Sequence, residues 1–271
     1  MEAQLQKRVQ RYGWDKAANY YESYWQQQLK PAQDLLLESA AIQRGEKVLD
    51  IACGTGLVSF RAAEQVGSNG YVLATDISDR MIELATRTSE TKSITNIQFT
   101  RMDAEQLTIA DESFDVVICA LGLMYVPDPL LAMNEMKRIL KPGGRAVAAV
   151  WGERDHCGWA EIFEIVDRRV SSEVCPMFFQ LGTGNRLELY FKKAGFEQVH
   201  SERISTSLDY LSDDEACGAA FEGGPVALAY NKFTAEVKLQ ARSEYIQSIN
   251  PFKKDAGFAV PGEFVVTSAV K

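Results

Sequence analysis

The sequence predicts an α/β fold with a doubly wound, mostly parallel sheet and a helical cap. Three observations carry that expectation. A short apolar run, Val48-Leu49-Asp50-Ile51, ends at a small-residue loop, Ala52-Cys53-Gly54-Thr55-Gly56, and a helical pattern begins directly after it. Strand-like apolar runs and helical stretches then alternate through residues 45–151. Asp50, Asp76 and Asp103 each fall near the carboxyl end of one of the first three runs. That is the edge at which open α/β sheets collect ligands.

Composition narrows the function. The chain has 271 residues, enough for one large domain or one domain with a cap, and 46% hydrophobic with 24% charged residues argues against disorder. A formal net charge of −8 disfavours a nucleic-acid partner, which needs a basic face. The five cysteines are odd in number and contain no CxxC pair, which fits reduced thiols in a cytoplasmic protein. Cys157, Cys175 and Cys217 are too widely spaced to suggest a metal site, so no metal is expected. Residues 1–10 are polar, with no signal-peptide pattern, and the longest apolar run, 116–126, is too short to span a membrane. A monomer or homodimer is expected.

Taken in order, residues 1–44 read as helical and aromatic, with Tyr12, Trp14, Tyr20, Tyr21, Tyr24 and Trp25 before Pro31 opens a second helix. These rings either pack on the core or form an N-terminal lid over a pocket holding a cation, which ring faces attract. Strand 1 ends near Ile51, and Gly54 and Gly56 let a ligand approach the backbone closely. No Lys follows these glycines, so the loop is a poor phosphate cradle; Asp50 beside it suits a positively charged ligand with an adenosine. A helix over 57–66 and a turn at 67–70 lead to strand 2, 71–75, ending at Asp76. An acid there hydrogen-bonds ribose hydroxyls or caps the helix starting near Ser78. Ile77 suits an adenine face, and Met81 opens the next helix. Strand 3, 97–100, leads to Asp103, which accepts from an adenine amino group or caps the turn before Leu107.

Strand 4, 114–120, is apolar throughout, including Cys119, and therefore central. Residues 121–126 leave it beside the place for a cofactor's reactive end. Pro127-Asp128-Pro129 starts a helix over 130–140, Lys141-Pro142-Gly143-Gly144 stops it, and strand 5 runs over 145–151.

Five motifs now stand in order: Asp50-x-Ala52-Cys53-Gly54-Thr55-Gly56, Thr75-Asp76-Ile77-Ser78, Met102-Asp103-Ala104, Phe114-Asp115-Val116-Val117 and Arg138-Ile139-Leu140-Lys141-Pro142-Gly143-Gly144. Together they resemble class I S-adenosylmethionine-dependent methyltransferases, nearest the UbiE-like (methyltransferase type 11) group. One departure is Ala52, where many members carry Gly. The resemblance implies a Rossmann-like seven-stranded sheet whose last strand, Glu263 to Val270, pairs antiparallel between strands 5 and 6. It implies S-adenosyl-L-methionine as cofactor and S-adenosyl-L-homocysteine as product. Asp50 and the Gly54/Gly56 backbone then serve the methionine end, Asp76 the ribose, and Asp103 with Ala104 the adenine; Ala52, Ile77, Met81 and Cys119 are further candidate cofactor-binding residues.

The expected organisation is a helical lid (1–44), a cofactor-binding core (45–208), a helical insertion over the substrate pocket (209–258) and a closing strand (259–271). Within the insertion, helices are expected over 213–221 and 225–249. A sulfonium methyl is already activated, so transfer to an O, N or C atom of a small-molecule acceptor needs alignment and water exclusion more than a base. His156 is the candidate base, following strand 5; the other histidine, His200, lies in strand 6. Tyr20, Tyr21, Tyr24, Tyr125 and Trp151 are candidate substrate-pocket residues. Two alternatives stay open: a nicotinamide-dependent oxidoreductase, opposed by Ser59 in place of a third glycine, and a non-catalytic S-adenosylmethionine-binding module.

Overall fold

The computed structural model describes residues 2–171 and 174–271. Two helices precede the sheet. α1 (Ala3–Trp25) buries Gln6, Gln10, Gly13, Ala17, Ala18 and Trp25, the stripe that a period of 3.6 puts on one face. α2 (Lys30–Ala40) carries Pro31 in its first turn and buries Leu36 and Leu37. The chain then alternates: β1 (Lys47–Ile51), α3 (Leu57–Val66), β2 (Tyr71–Asp76), α4 (Asp79–Thr91), β3 (Ile97–Arg101), β4 (Phe114–Ala120), α5 (Pro129–Ile139), β5 (Leu140–Trp151), α6 (Glu161–Asp167), α7 (Arg186–Lys193) and β6 (Glu197–Tyr210). A cap follows, with α8 (Asp213–Phe221), α9 (Ala227–Tyr230) and α10 (Ala235–Ile249), before a two-residue β7 (Lys253–Lys254) and a closing β8 (Gly257–Val270).

The strand order is β3-β2-β1-β4-β5-β8-β6, with β7 paired off this path to β8. β1 runs parallel to β2 and β4, while β8 is antiparallel to β5 and β6. The expected Rossmann-like sheet is therefore present, closed by an antiparallel strand between the fifth and sixth. Val116, Val117, Ile118 and Cys119 of β4 are fully buried, as a strand flanked and covered on both faces requires. Because Asp50 pairs with Ala74 and Ile118, the carboxyl ends of β1, β2 and β4 are level, and their loops meet on one edge.

Three boundaries differ from the expectation. β5 begins at Leu140, not 145, running through the Lys-Pro-Gly-Gly stretch. The single helix expected over 225–249 is divided into α9 and α10, because the Thr234 hydroxyl accepts from Val237 N–H and starts a new helix. β8 begins at Gly257, six residues before the expected Glu263, and pairs along its length with β6 out to Tyr210–Phe258. The cap is thus carried at the end of a long β6–β8 hairpin.

α1 lies across the carboxyl edge of the sheet. Its polar stripe, Lys7, Arg11, Asp15 and Asn19, is spaced by one helical turn, and each member holds the core. Lys7 Nζ sits 2.6 Å from both Asp103 and Glu105. Arg11 pairs with Asp79, Asp15 accepts from Ser78 Oγ at 2.7 Å and Arg80 N at 3.1 Å, and Asn19 accepts from Arg80 at 3.0 Å. The adjacent stripe, Gln10, Trp14, Tyr21 and Trp25, faces inward to a cavity that Lys7 borders.

Candidate cofactor and acceptor site

The cavity between α1 and the sheet edge, counted together with its opening to solvent, holds about 1030 Å³ of empty space. Its floor sets the acids Asp76 and Asp103 and the Gly54 backbone among Thr75, Ile77, Met81, Met102 and Ala104. Its other walls are aromatic: Trp14, Tyr21, Trp25, Tyr125, Trp151, Trp159 and Phe178. These rings form an edge-to-face chain, with centroids 5.2 Å apart for Trp14–Tyr125, 5.5 Å for Tyr125–Phe178, 5.5 Å for Phe178–Trp159 and 4.7 Å for Trp159–Trp151.

Asp76 ends β2 and is 7% exposed. It accepts from Gly54 N–H at 2.9 Å and Ser78 N–H at 2.8 Å. Burial pushes its carboxyl up to about 6, against the pull of those backbone donors. The Ser78 hydroxyl caps α4 through Met81 N–H, so Ser78, not Asp76, closes that helix end. Asp76 is left to hold the loop and face the cavity.

Asp50 lies one layer beneath. Ser59 Oγ donates to its Oδ2 at 2.5 Å, while Oδ1 is buried without a partner in the protein. Burial pushes this carboxyl up to about 7, with Asp76 adding repulsion. Among the described residues no cation pairs with either acid. A buried pair of carboxylates without a counter-charge is costly unless a cation joins it. The donors and acceptors on this floor therefore fit a ligand with a ribose diol, an adenine and a positive charge.

Ala52 and Leu121 both line the cavity in the left-handed backbone region, at φ of 56° and 63°. Ala52 thus occupies a conformation that favours Gly, at a cost of about 1 kcal/mol. Gly54 adopts φ of 55°, and a Cβ there would meet only Tyr21 Cε1, at 3.6 Å, so its backbone faces open space. Asp103 is held by Lys7, and its Oδ1 accepts from Glu105 N–H at 3.0 Å; the turn-capping reading of Asp103 is thus realised while the residue still lines the cavity.

The structure gathers Ala52, Gly54, Asp76, Ile77, Met81, Asp103, Ala104, Tyr125 and Trp151 around the cavity. Asp50, Gly56 and Cys119 are not in its lining. Gly56 begins α3 at φ of 91°, where a Cβ would press on Phe60 and Phe99, and burial pushes the Cys119 thiol up to about 12. Tyr20 is 45% exposed on the outer face of α1. Tyr24 packs on the cap instead, where a Cβ at Gly218 would fall 2.2 Å from its ring. Successive helix residues are about 100° apart, so Tyr21 faces the cavity and Tyr20 does not. The period of Gln10, Trp14, Tyr21 and Trp25 was the available signal for the inward face. Trp159 and Phe178 have no local motif to mark them.

His156 does not reach the cavity. Its Nδ1 lies 3.0 Å from Glu263 Oε1. Glu263, 8% exposed, also accepts from Glu153 N–H at 3.0 Å and Arg203 Nη1 at 2.6 Å. Arg203 in turn donates to Gly182 O at 2.6 Å. This network ties β8 and the loop at 182–184 to the end of β5. His156→Ala is accordingly expected to leave turnover near the parent level. Glu263→Ala, which removes the shared acceptor of Arg203, His156 and Glu153 N–H, should cost about 1–2 kcal/mol in chemical unfolding. A collapse of kcat in His156→Ala, with substrate binding intact, would restore it as a base.

Among the described residues, no group of three or more His, Cys, Asp or Glu is arranged to hold a metal, and no helix is long and apolar enough to cross a membrane.

Comparison with known proteins identifies the class of domain that carries this cavity. A family model described as a methyltransferase domain matches residues 42–164. A demethylmenaquinone methyltransferase of Staphylococcus epidermidis is 42% identical over 112 residues, 41% of this chain and 46% of that protein. The chain thus spans about half the length of the curated relatives it matches. Among solved structures, Haemonchus contortus phosphoethanolamine N-methyltransferase 2 with S-adenosyl-L-methionine aligns at a TM-score of 0.62 and 19% identity, over 95% of this chain and 57% of that one. The [4+2]-cyclase SpnF aligns at 0.61 and 19% identity, over 90% and 82%. These two likenesses are of fold. The motifs, the sheet order and the family match agree on one assignment: residues 42–164 are a methyltransferase domain, similar to that of the demethylmenaquinone methyltransferases.

Proposed function

We propose that the chain uses S-adenosyl-L-methionine to methylate a flat, largely apolar small molecule at an oxygen or carbon atom. The observation that carries this reading is the buried, cation-free pair Asp76 and Asp50 beside the Gly54 loop. When bound, the cofactor supplies an activated methyl carbon on a sulfonium sulfur. Asp76 accepts from the ribose hydroxyls, Asp103 and Ala104 border the adenine, and the Gly54 backbone holds the methionine end. A dinucleotide would instead set its pyrophosphate near the Asp76 carboxylate, with Asp50 buried behind it and no lysine following the glycines, which disfavours the oxidoreductase alternative.

The aromatic walls hold the acceptor and exclude water. No histidine lines the cavity among the described residues, and its single lysine, Lys7, is engaged by Asp103 and Glu105. The acceptor is therefore one that needs no strong base, such as an acidic phenol, an enol or a carbon nucleophile, and bears no phosphate. A demethylmenaquinone, the compound in the relatives' names, has that chemistry in its reduced form. The test is release of S-adenosyl-L-homocysteine with reduced demethylmenaquinone, simpler naphthols and phosphoethanolamine. Turnover with the first two and none with the third is expected. Tight cofactor binding without product from any aromatic acceptor would favour a non-catalytic module.

A further inference from the structure

We infer that Tyr21, carried on α1, is the residue that distinguishes the cationic methyl donor from its neutral product, through the face of its ring. This rests on the cofactor reading above and goes further, since it assigns the charge discrimination to the lid.

Position carries the inference. The sulfonium sulfur is bonded to both the ribose and the methionine halves, so it lies between the ribose anchor and the methionine loop. Those two anchors are Asp76 and Gly54, and they touch: Gly54 N–H donates to Asp76 at 2.9 Å. Tyr21 covers this junction, its Cε1 being 3.6 Å from the Cβ position of Gly54. Its ring lines the cavity and stands perpendicular to that of Trp14, with centroids 5.8 Å apart and planes at 87°. Trp14 is in turn braced by Tyr125 at 5.2 Å. No hydrogen bond of the Tyr21 hydroxyl is found among the described residues, so the group is not there to satisfy a buried polar partner. Burial and the nearby Asp76, Glu22 and Asp50 hold its phenol well above the usual range, which keeps the ring neutral.

An aromatic face attracts a cation and has no such preference for a neutral sulfide. Methyl transfer removes the charge, so Tyr21 favours donor over product at the moment when exchange is needed. Because α1 is fastened by the polar stripe at Lys7, Arg11, Asp15 and Asn19, the same helix that closes the cavity supplies the ring.

The test is calorimetric affinity for S-adenosyl-L-methionine and S-adenosyl-L-homocysteine in the full chain, for the parent, Tyr21→Phe and Tyr21→Leu. Phe keeps the donor-to-product affinity ratio near the parent value. Leu weakens donor binding by about three- to thirty-fold and leaves product binding nearly unchanged. A second series, phenylalanines of increasing ring fluorination at position 21, preserves the shape while draining the ring face. It should weaken the donor stepwise and spare the product. Equal loss of both ligands across the fluorinated series, or a Phe variant that loses donor selectivity, would overturn the inference while leaving the cofactor reading intact. A parent chain that binds neither ligand would instead overturn the cofactor reading, and this inference with it.

Discussion

Asp76→Ala is expected to weaken S-adenosyl-L-methionine binding by about a hundredfold, the loss of charge-assisted hydrogen bonds to two ribose hydroxyls. The same change frees Gly54 N–H and Ser78 N–H, which Asp76 holds at 2.9 and 2.8 Å, so the loop loses its brace as well as its ligand contact. Asp76→Asn separates these effects, because an amide oxygen still accepts while the charge is gone. Its loss should be intermediate. Isothermal titration at pH 7.5, with circular dichroism to confirm folding, checks both. Unchanged affinity in the Ala variant would remove Asp76 from the site.

The second large effect is on stability, and its sign follows from the raised carboxyls. Asp50 is pushed up to about 7 and Asp76 to about 6 in the fold, whereas an unfolded aspartate ionises near 3.9. Between these values the folded chain binds more protons than the unfolded one, so stability is fully present below about pH 4 and is lost as pH rises through 6 to 7. For Asp50 alone the loss is on the order of 2–4 kcal/mol. Urea unfolding of the ligand-free protein at pH 4.5 and 7.5 should show the parent losing stability relative to Asp50→Asn over that span. A parent-to-variant difference independent of pH would contradict the buried, uncompensated state of Asp50. A bound cation reverses the penalty, so S-adenosyl-L-methionine should release protons on binding near pH 6.5 and bind more weakly as pH falls below 6. The cost in the empty protein is therefore tied to the affinity of the loaded one.

Much of this was legible in the residues. The strands from Lys47 to Trp151 show as apolar runs because their sheet is buried, and the acids at their ends stand out because charge is rare there. β8 was harder. Pro261 and Gly262 look like breakers, yet β5 ends at Trp151, opposite Phe264, so Pro261 meets a strand only on its β6 side, at Ser207, while its carbonyl accepts from Gly158 N–H at 2.9 Å; no ladder bond there needs its missing N–H. That same register brings Glu263 beside the end of β5, where it captures His156. No local pattern could show this, because the two residues meet only through strand pairing. Trp159 and Phe178 reach the cavity for a similar reason: long-range packing places them, not a motif. Tyr21 differs, since helical period alone separates it from its neighbour Tyr20.

The most direct test of the central claim is a crystal structure of the chain with S-adenosyl-L-homocysteine. The ribose hydroxyls should lie about 3 Å from the Asp76 carboxylate, with the adenine beside Asp103 and Ala104 and the methionine end on the Gly54 loop. A ligand bound elsewhere, or in this cavity with its ribose turned away from Asp76, would contradict it.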